Sequence, residues 1–310
     1  MINFTQNNHL SYSIDERQFG KRTNGIEKYQ VALGKIDVHE YKKTSWRQEL
    51  RKTADTVLRE FGKDLIVFLS GGTDSEIVVR NFLEIGFKPR CAIIRFADGY
   101  NDYDVQEAEE ISRELNLDLI YLDFDVKDFY YSGRAADLAT QIQCCQITYL
   151  TVYENIKKIS APAIMGGELF LSKKVEKNNK FWYYVFRENE DASAMRFSNH
   201  YNIPLVNEWF SYTPEMILHF LNNPQIKYLI SDRIPYKLSS VSSKNDILRG
   251  LFPEVRKKIK THGFERLRSF NFESYANLGN QCFIRRTEGS LDGIPIQNVF
   301  KILRGENENY

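Results

Sequence analysis

The sequence predicts an α/β fold built on a doubly wound, mostly parallel sheet, with a helical C-terminal region. Short apolar runs rich in branched and aromatic residues recur at 65–69, 91–96 and 117–122, and such runs suit strands covered on both faces. Helical patterns separate them: one occupies 76–85, and Val105, Ala108, Ile111 and Leu115 share a face after the second run. Gly71 and Gly72 stand where the first strand ends and the next helix begins. Strands alternating with helices in this order indicate a parallel sheet, and the ligands of such sheets sit beyond the C-terminal ends of the strands.

Taken in order, residues 1–43 are polar and aromatic, and the alternation at 29–33 allows one short strand. A helix is expected over 44–61, capped by Thr44 or Ser45, with Trp46, Leu50, Thr53, Val57 and Leu58 at helical spacing and Trp46 in the core. Gly86 closes the helix that follows the first strand, and Pro89 stops it. Asp98-Gly99 turns the second strand into the next helix. A long helix over 137–159 and a short strand over 163–165 come next. The aromatic run Phe181 to Phe186 is expected in a hairpin packed over the sheet, although stacking on a nucleobase would also suit it. Thr213-Pro214-Glu215 opens a further helix with a cap, a proline at the first position and an acid in the first turn.

With 310 residues, 42% hydrophobic and 27% charged, the chain can build one large core with additions, or two domains. A net charge of +1 gives no global reason to expect a nucleic-acid or membrane partner. Residues 1–7 lack the basic and apolar regions of a signal peptide, and no apolar run approaches membrane-spanning length. The four cysteines, Cys91, Cys144, Cys145 and Cys282, form no CxxC pair. They read as reduced thiols of a cytoplasmic protein, and not as a zinc or iron–sulfur site.

The chemistry is expected at Ser70-Gly71-Gly72-Thr73-Asp74-Ser75. Glycines without Cβ let the backbone turn sharply and approach a ligand closely. The following helix aims its unpaired N–H groups and the positive end of its dipole at the same point, which makes an anion site. Ser70, Thr73 and Ser75 add hydroxyls, and Asp74 adds a carboxylate able to hold Mg2+ beside bound phosphates. No Gly-Lys-Ser/Thr follows, so this is not a Walker P-loop. The run resembles the Ser-Gly-Gly-x-Asp-Ser signature of the PP-loop ATP pyrophosphatases, which have the adenine nucleotide alpha hydrolase-like fold. In that family the loop holds the pyrophosphate end of ATP while a substrate oxygen attacks the α-phosphorus. The resemblance implies ATP as co-substrate, Mg2+ on Asp74, and adenine received by the backbone of Ile94, Arg95 and Phe96.

Over residues 44–250 the likeness narrows to the synthetase domain of asparagine synthetase and β-lactam synthetase. The second helix opens Tyr103-Asp104-Val105, lacking the Glu of the family's Tyr-Asp-Glu run. Gly166-Gly167-Glu168-Leu169-Phe170 resembles Gly-Glu-Gly-x-Asp-Glu-Leu-Phe, with Gly167 where the family has its second metal-associated Asp. Glu168 either substitutes for that acid on the substrate side or is a solvated residue at a strand-end turn. Lys244-Asn245-Asp246-Ile247-Leu248-Arg249 resembles the family's Lys-x-x-Leu-Arg region, one residue longer. There Lys244 is expected to neutralise the leaving pyrophosphate, as charge spreading over phosphoryl oxygens requires. Arg249 is structural or phosphate-facing.

The implied activity is an ATP-dependent ligase that adenylates a carboxylate, releases pyrophosphate and passes the acyl group to ammonia or an amine. With Ile2 where an amidotransferase cysteine would stand and no glutaminase-sized region before the loop, ammonia is expected from elsewhere. Two alternatives stand beside it: adenylation of a nucleobase or tRNA, and a non-catalytic nucleotide-binding protein. Residues 251–310 are a C-terminal extension of unassigned role, whose basic clusters read as a solvated surface in preference to a tRNA platform.

Overall fold

The chain is described from a computed structural model. The described residues are 10–12, 29–31, 44–142, 147–159, 161–167, 169–177, 180–187, 193–207, 209–224, 226, 241–243, 245–256, 263–264 and 294–295. A first hairpin pairs β1 (Leu10–Tyr12) with β2 (Tyr29–Val31), within the short strand expected at 29–33. Helix α1 (Trp46–Phe61) leads into β3 (Ile66–Phe68), α2 (Thr73–Glu84), β4 (Arg90–Phe96), α3 (Asp102–Glu114) and β5 (Leu119–Phe124). Helices α4 (Val126–Tyr131), α5 (Arg134–Ile142) and α6 (Ile147–Ile159) return the chain to β6 (Ala163–Ile164). The long strands β7 (Leu169–Lys177) and β8 (Lys180–Arg187) form a hairpin. Helix α7 (Ser193–Tyr201), β9 (Leu205–Val206) and α8 (Pro214–Asn222) follow, then β10 (Val241–Ser243), α9 (Asn245–Leu251) and β11 (Ile294–Pro295).

The central sheet has five strands in the order β5-β4-β3-β6-β9, every pairing parallel. This is the doubly wound α/β architecture expected from the alternating runs. A separate four-stranded sheet, β10-β7-β8-β11, is antiparallel, and the aromatic run 181–186 lies in its strand β8.

Side chains of a strand point alternately to its two faces, and the core divides accordingly. Val67, Leu69, Cys91 and Ile93 join one cluster with Trp46, Leu50, Ile77 and Phe82 of α1 and α2. Phe68, Ile94 and Phe96 join another with Phe129, Tyr153 and Phe197 from the helices of the opposite face. Both faces are therefore covered, which is why these strands read as unbroken apolar runs. Phe252 and Val255 belong to the first cluster, so the core continues past residue 250. The Arg47 guanidinium lies 4.4 Å from the Phe252 ring centre and donates to the Leu251 carbonyl at 2.8 Å.

Helix boundaries follow local chemistry. Ser45 and Gln48 make a reciprocal capping box on α1. The third strand was expected from 117 but begins at Leu119, because residues 115–117 close α3. Asn116 takes a positive φ of 52°, the Leu117 N–H donates to Ser112 O at 2.8 Å, and the Ser112 hydroxyl donates to Leu117 O at 2.9 Å. The helix expected over 137–159 is described as α5 and α6, with residues 143–146 outside the described residues. Thr213 caps α8 through a bond from the Met216 N–H, with Pro214 at the helix start as its sequence suggests. Among the described residues no helix is long and apolar enough to cross a membrane.

On α8, His219 Nε2 lies 3.2 Å from the Thr44 hydroxyl at the entrance to α1. Burial lowers its pKa from the ordinary 6.5 to about 4, the nearby Glu49 opposing only in part. Between those values the unfolded chain holds a proton that the folded chain does not, so stability rises with pH across the window and is lost as pH falls through it. Urea melts from pH 7 to pH 4 should show that loss, and His219→Gln should flatten it. Equal slopes for the two proteins would remove His219 from the account.

Candidate active site

The C-terminal ends of β3, β4, β6 and β9 enclose a cavity of about 250 Å³, close to the lower end of ligand-pocket sizes. The turn after β3 forms its base. Gly71 has φ +72°, and a Cβ placed on it would fall 2.6 Å from Asp104 O and 2.9 Å from Glu107 Cβ. The first turn of α3 is thus seated directly on the glycine, and no other residue fits. Gly72 is the N-cap of α2, which therefore starts without a side-chain cap at the cavity. Its early N–H groups and dipole favour an anion there.

Ser75 has a different role from the one expected. Its hydroxyl donates inward to Gly72 O at 3.0 Å and accepts the Ser70 N–H at 3.1 Å, with Ser70 Oγ at 3.2 Å. The Ser75 side chain holds the loop in shape, and Gly71, Gly72 and Thr73, expected at the ligand, are not among the residues that line the cavity. Ser70, Asp74 and Ser75 line the cavity. Gly166 packs on the same loop, since a Cβ on it would lie 2.9 Å from Asp74 Cβ. Gly167, with φ +63°, follows it on the cavity wall. The two glycine stretches singled out from sequence are therefore brought together around Asp74.

Asp104 also lines the cavity and is 8% exposed. Among the described lining residues none is Lys or Arg. Two carboxylates beside a phosphate-sized turn suit Mg2+, which is held by one or two carboxylates together with substrate phosphates. No group of three or more metal-ligating side chains occurs among the described residues.

Ile94 and Phe96 line the cavity where adenine was expected, and both backbone groups there are engaged. The Phe96 N–H donates to Asn101 Oδ1 at 2.8 Å, and Asn101 Nδ2 donates to Ile94 O at 2.8 Å. The carboxamide extends the hydrogen-bond ladder of β4 past the end of β3, and a base edge at this backbone has to displace it. Arg95 points elsewhere: it pairs with Asp123 at 2.6 Å on the exposed side. Arg249 is half-buried in α9 and does not line the cavity. Glu168 and Lys244 lie outside the described residues, as do the basic clusters beyond Arg256.

Sequence reasoning missed Asn101, Asn207 and Phe264. Phe264 reaches the cavity from the extension left unassigned, its ring 5.4 Å from Phe96 at 83°. Gly263 beside it lies so close that a Cβ would meet Asn101 Cβ at 2.8 Å. Asn207 follows the apolar pair Leu205-Val206, and a polar residue just after such a pair in a parallel-sheet protein was the available signal.

No protein-family model matches the chain, and no curated protein matches it. Among solved structures it is similar to a protein described as a tRNA methyltransferase subunit from Methanocaldococcus jannaschii, at 18% identity over 73% of this chain and 94% of that one, TM-score 0.34. It is similar to the NMN synthetase of Francisella tularensis, at 16% identity over 82% and 99%, TM-score 0.31. The NH3-dependent NAD synthetase of Campylobacter jejuni gives 12% identity over 81% and 95%, TM-score 0.32. Likeness at TM-scores this low carries no argument, and the chemistry of the cavity has to come from its own residues.

The seating of α3 on Gly71 can be measured. Gly71→Ala should cost roughly 1–3 kcal/mol for its left-handed backbone alone, with the clash adding to it. Gly86→Ala is the control, because its φ is +78° but nothing lies within 4 Å of its Cβ position. Urea denaturation should show the Gly71 variant as clearly the less stable, and equal losses would mean that the turn relaxes freely.

Proposed function

We propose that the protein is an ATP-dependent ligase of the PP-loop, asparagine synthetase-like kind. It adenylates a substrate carboxylate and transfers the acyl group to ammonia or an amine. The observation that carries this reading is the Ser70–Ser75 turn, which opens an uncapped helix start onto a cavity shared by Asp74 and Asp104. In the first step a carboxylate oxygen bonds to the α-phosphorus of ATP, the bond to the bridging oxygen breaks, and pyrophosphate leaves with that electron pair. In the second, the amine nitrogen bonds to the acyl carbon, AMP leaves, and the nitrogen loses a proton to solvent.

The protein contributes position and electrostatics to these steps. The turn and the start of α2 hold the leaving pyrophosphate, and Ser75 keeps that turn formed before the nucleotide binds. Asp74, with Asp104 beside it, would hold Mg2+, which when bound offsets charge on the phosphates. Lys244 is assigned to the leaving pyrophosphate and Glu168 to the substrate side, on the resemblance of their segments. Cys91 is no sulfur carrier: it is fully buried, and burial, with the Asp118 charge, pushes its thiol up to about 12.

The test is the nucleotide product formed by purified protein with ATP, Mg2+, ammonium and a pool of acids, nucleosides and tRNA. AMP with pyrophosphate, dependent on an acid, supports the ligase; dependence on a nucleoside or tRNA would move the reading to base modification. ADP with phosphate would sink α-phosphorus chemistry altogether. Asp74→Ala should lower pyrophosphate release by about a hundredfold or more, as loss of a key electrostatic group does, with little change in melting temperature. An unchanged rate would remove Asp74 from the metal site.

A further inference from the structure

Asn207 is 2% exposed, lines the cavity, and has no hydrogen-bond partner among the described residues for either its Oδ1 or its Nδ2. Buried polar groups are almost always paired, and one that is not calls for an explanation. Asn101 in the same cavity shows the contrast, with both ends of its carboxamide bonded to β4. Slack in the main chain does not explain the difference, because the preceding Val206 carbonyl accepts the Met165 N–H at 2.7 Å.

The register fixes where Asn207 sits. Val206 pairs with Ile164 and Ile164 with Val67, so Asn207 is level with Met165 and Phe68, at the foot of the glycine turn. It is two strands from β3 and three from β4. At about 4.8 Å per strand that is roughly 10 Å from the turn and roughly 14 Å from the Ile94–Phe96 edge. A base held at that edge does not reach Asn207. On the adenylating reading, its half of the cavity is the half left for the substrate whose carboxylate is adenylated.

We infer that Asn207 selects a carboxylate substrate that carries, in addition to the carboxylate that is adenylated, a planar amide-type edge with a donor and an acceptor side by side. A primary amide, lactam or heterocyclic N–H/C=O edge satisfies both ends of the carboxamide at once. A second carboxylate offers acceptors alone and leaves Oδ1 buried and unpaired. A site built around such a pair rejects the analogue that cannot complete it far more strongly than an apolar pocket would. The inference rests on the reading of this cavity as that of an adenylating ligase.

The experiment measures binding calorimetrically without ATP, so that its failure is distinct from failure of the ligase chemistry. Asparagine, glutamine and 2-carbamoylbenzoate are compared with the matching acids aspartate, glutamate and phthalate. At least one amide-type compound should bind the wild-type protein about tenfold or more tighter than the matching acids do. Asn207→Leu, nearly the same size, should abolish that preference and raise the melting temperature of the ligand-free protein, because an unpaired buried amide is removed. A structural asparagine would instead give a lower melting temperature with binding intact, and that result overturns the proposal. So does a wild-type protein that prefers no amide over its acid.

Discussion

The constraint on which the site depends is the contact between Gly71 and the first turn of α3. A carbonyl lies 2.6 Å from where a Cβ would stand, so the loop after β3 and the helix after β4 are fitted backbone to backbone. Asp104, on the helix so seated, lines the same cavity as Asp74. It also sets the entry to α3, where Asn101 turns back onto β4. From the other side Gly166 closes on Asp74 in the same way. Two positions without side chains therefore determine how close three strand ends can come.

Around this contact the loop is organised before any ligand arrives. Ser75 spends its one proton on Gly72 O and accepts the Ser70 N–H, so the turn needs no phosphate to hold its shape. Preorganised donors cost no rearrangement when charge develops on a leaving group, and this is the largest share of what a positioning enzyme supplies. The described wall of the cavity carries Asp74 and Asp104 and no described Lys or Arg.

The sheet and the turn were legible in sequence for definite reasons. Strands β3 and β4 are covered on both faces, so they appear as apolar runs, and Gly71 is forced by geometry that other residues cannot adopt. The start of β5 was misplaced by two residues because Ser112 and Leu117 exchange hydrogen bonds that no periodicity reveals. The placement of Gly166 against Asp74 follows from parallel neighbours β3 and β6. Asn101 and Phe264 were not legible, and Asn207 only as a polar residue just after the apolar pair Leu205-Val206. Asn101 acts on the nearby backbone of Ile94 and Phe96, Phe264 acts through rings distant in the chain, and Asn207 has no partner among the described residues.

Phe264 shows what such distance implies for the site as a whole. The ring leans on Phe96 and, at 6.4 Å, on Tyr130, while Gly263 lies against the Asn101 that occupies the β4 edge. A segment near residue 263 thus covers the side chain that a base at Ile94–Phe96 has to displace. Moving Asn101 toward Gly263 meets a glycine already at the limit of approach, so the carboxamide and the segment over it have to shift together. Access to that end of the cavity is thereby tied to Gly263 and Phe264, in the C-terminal part of the chain.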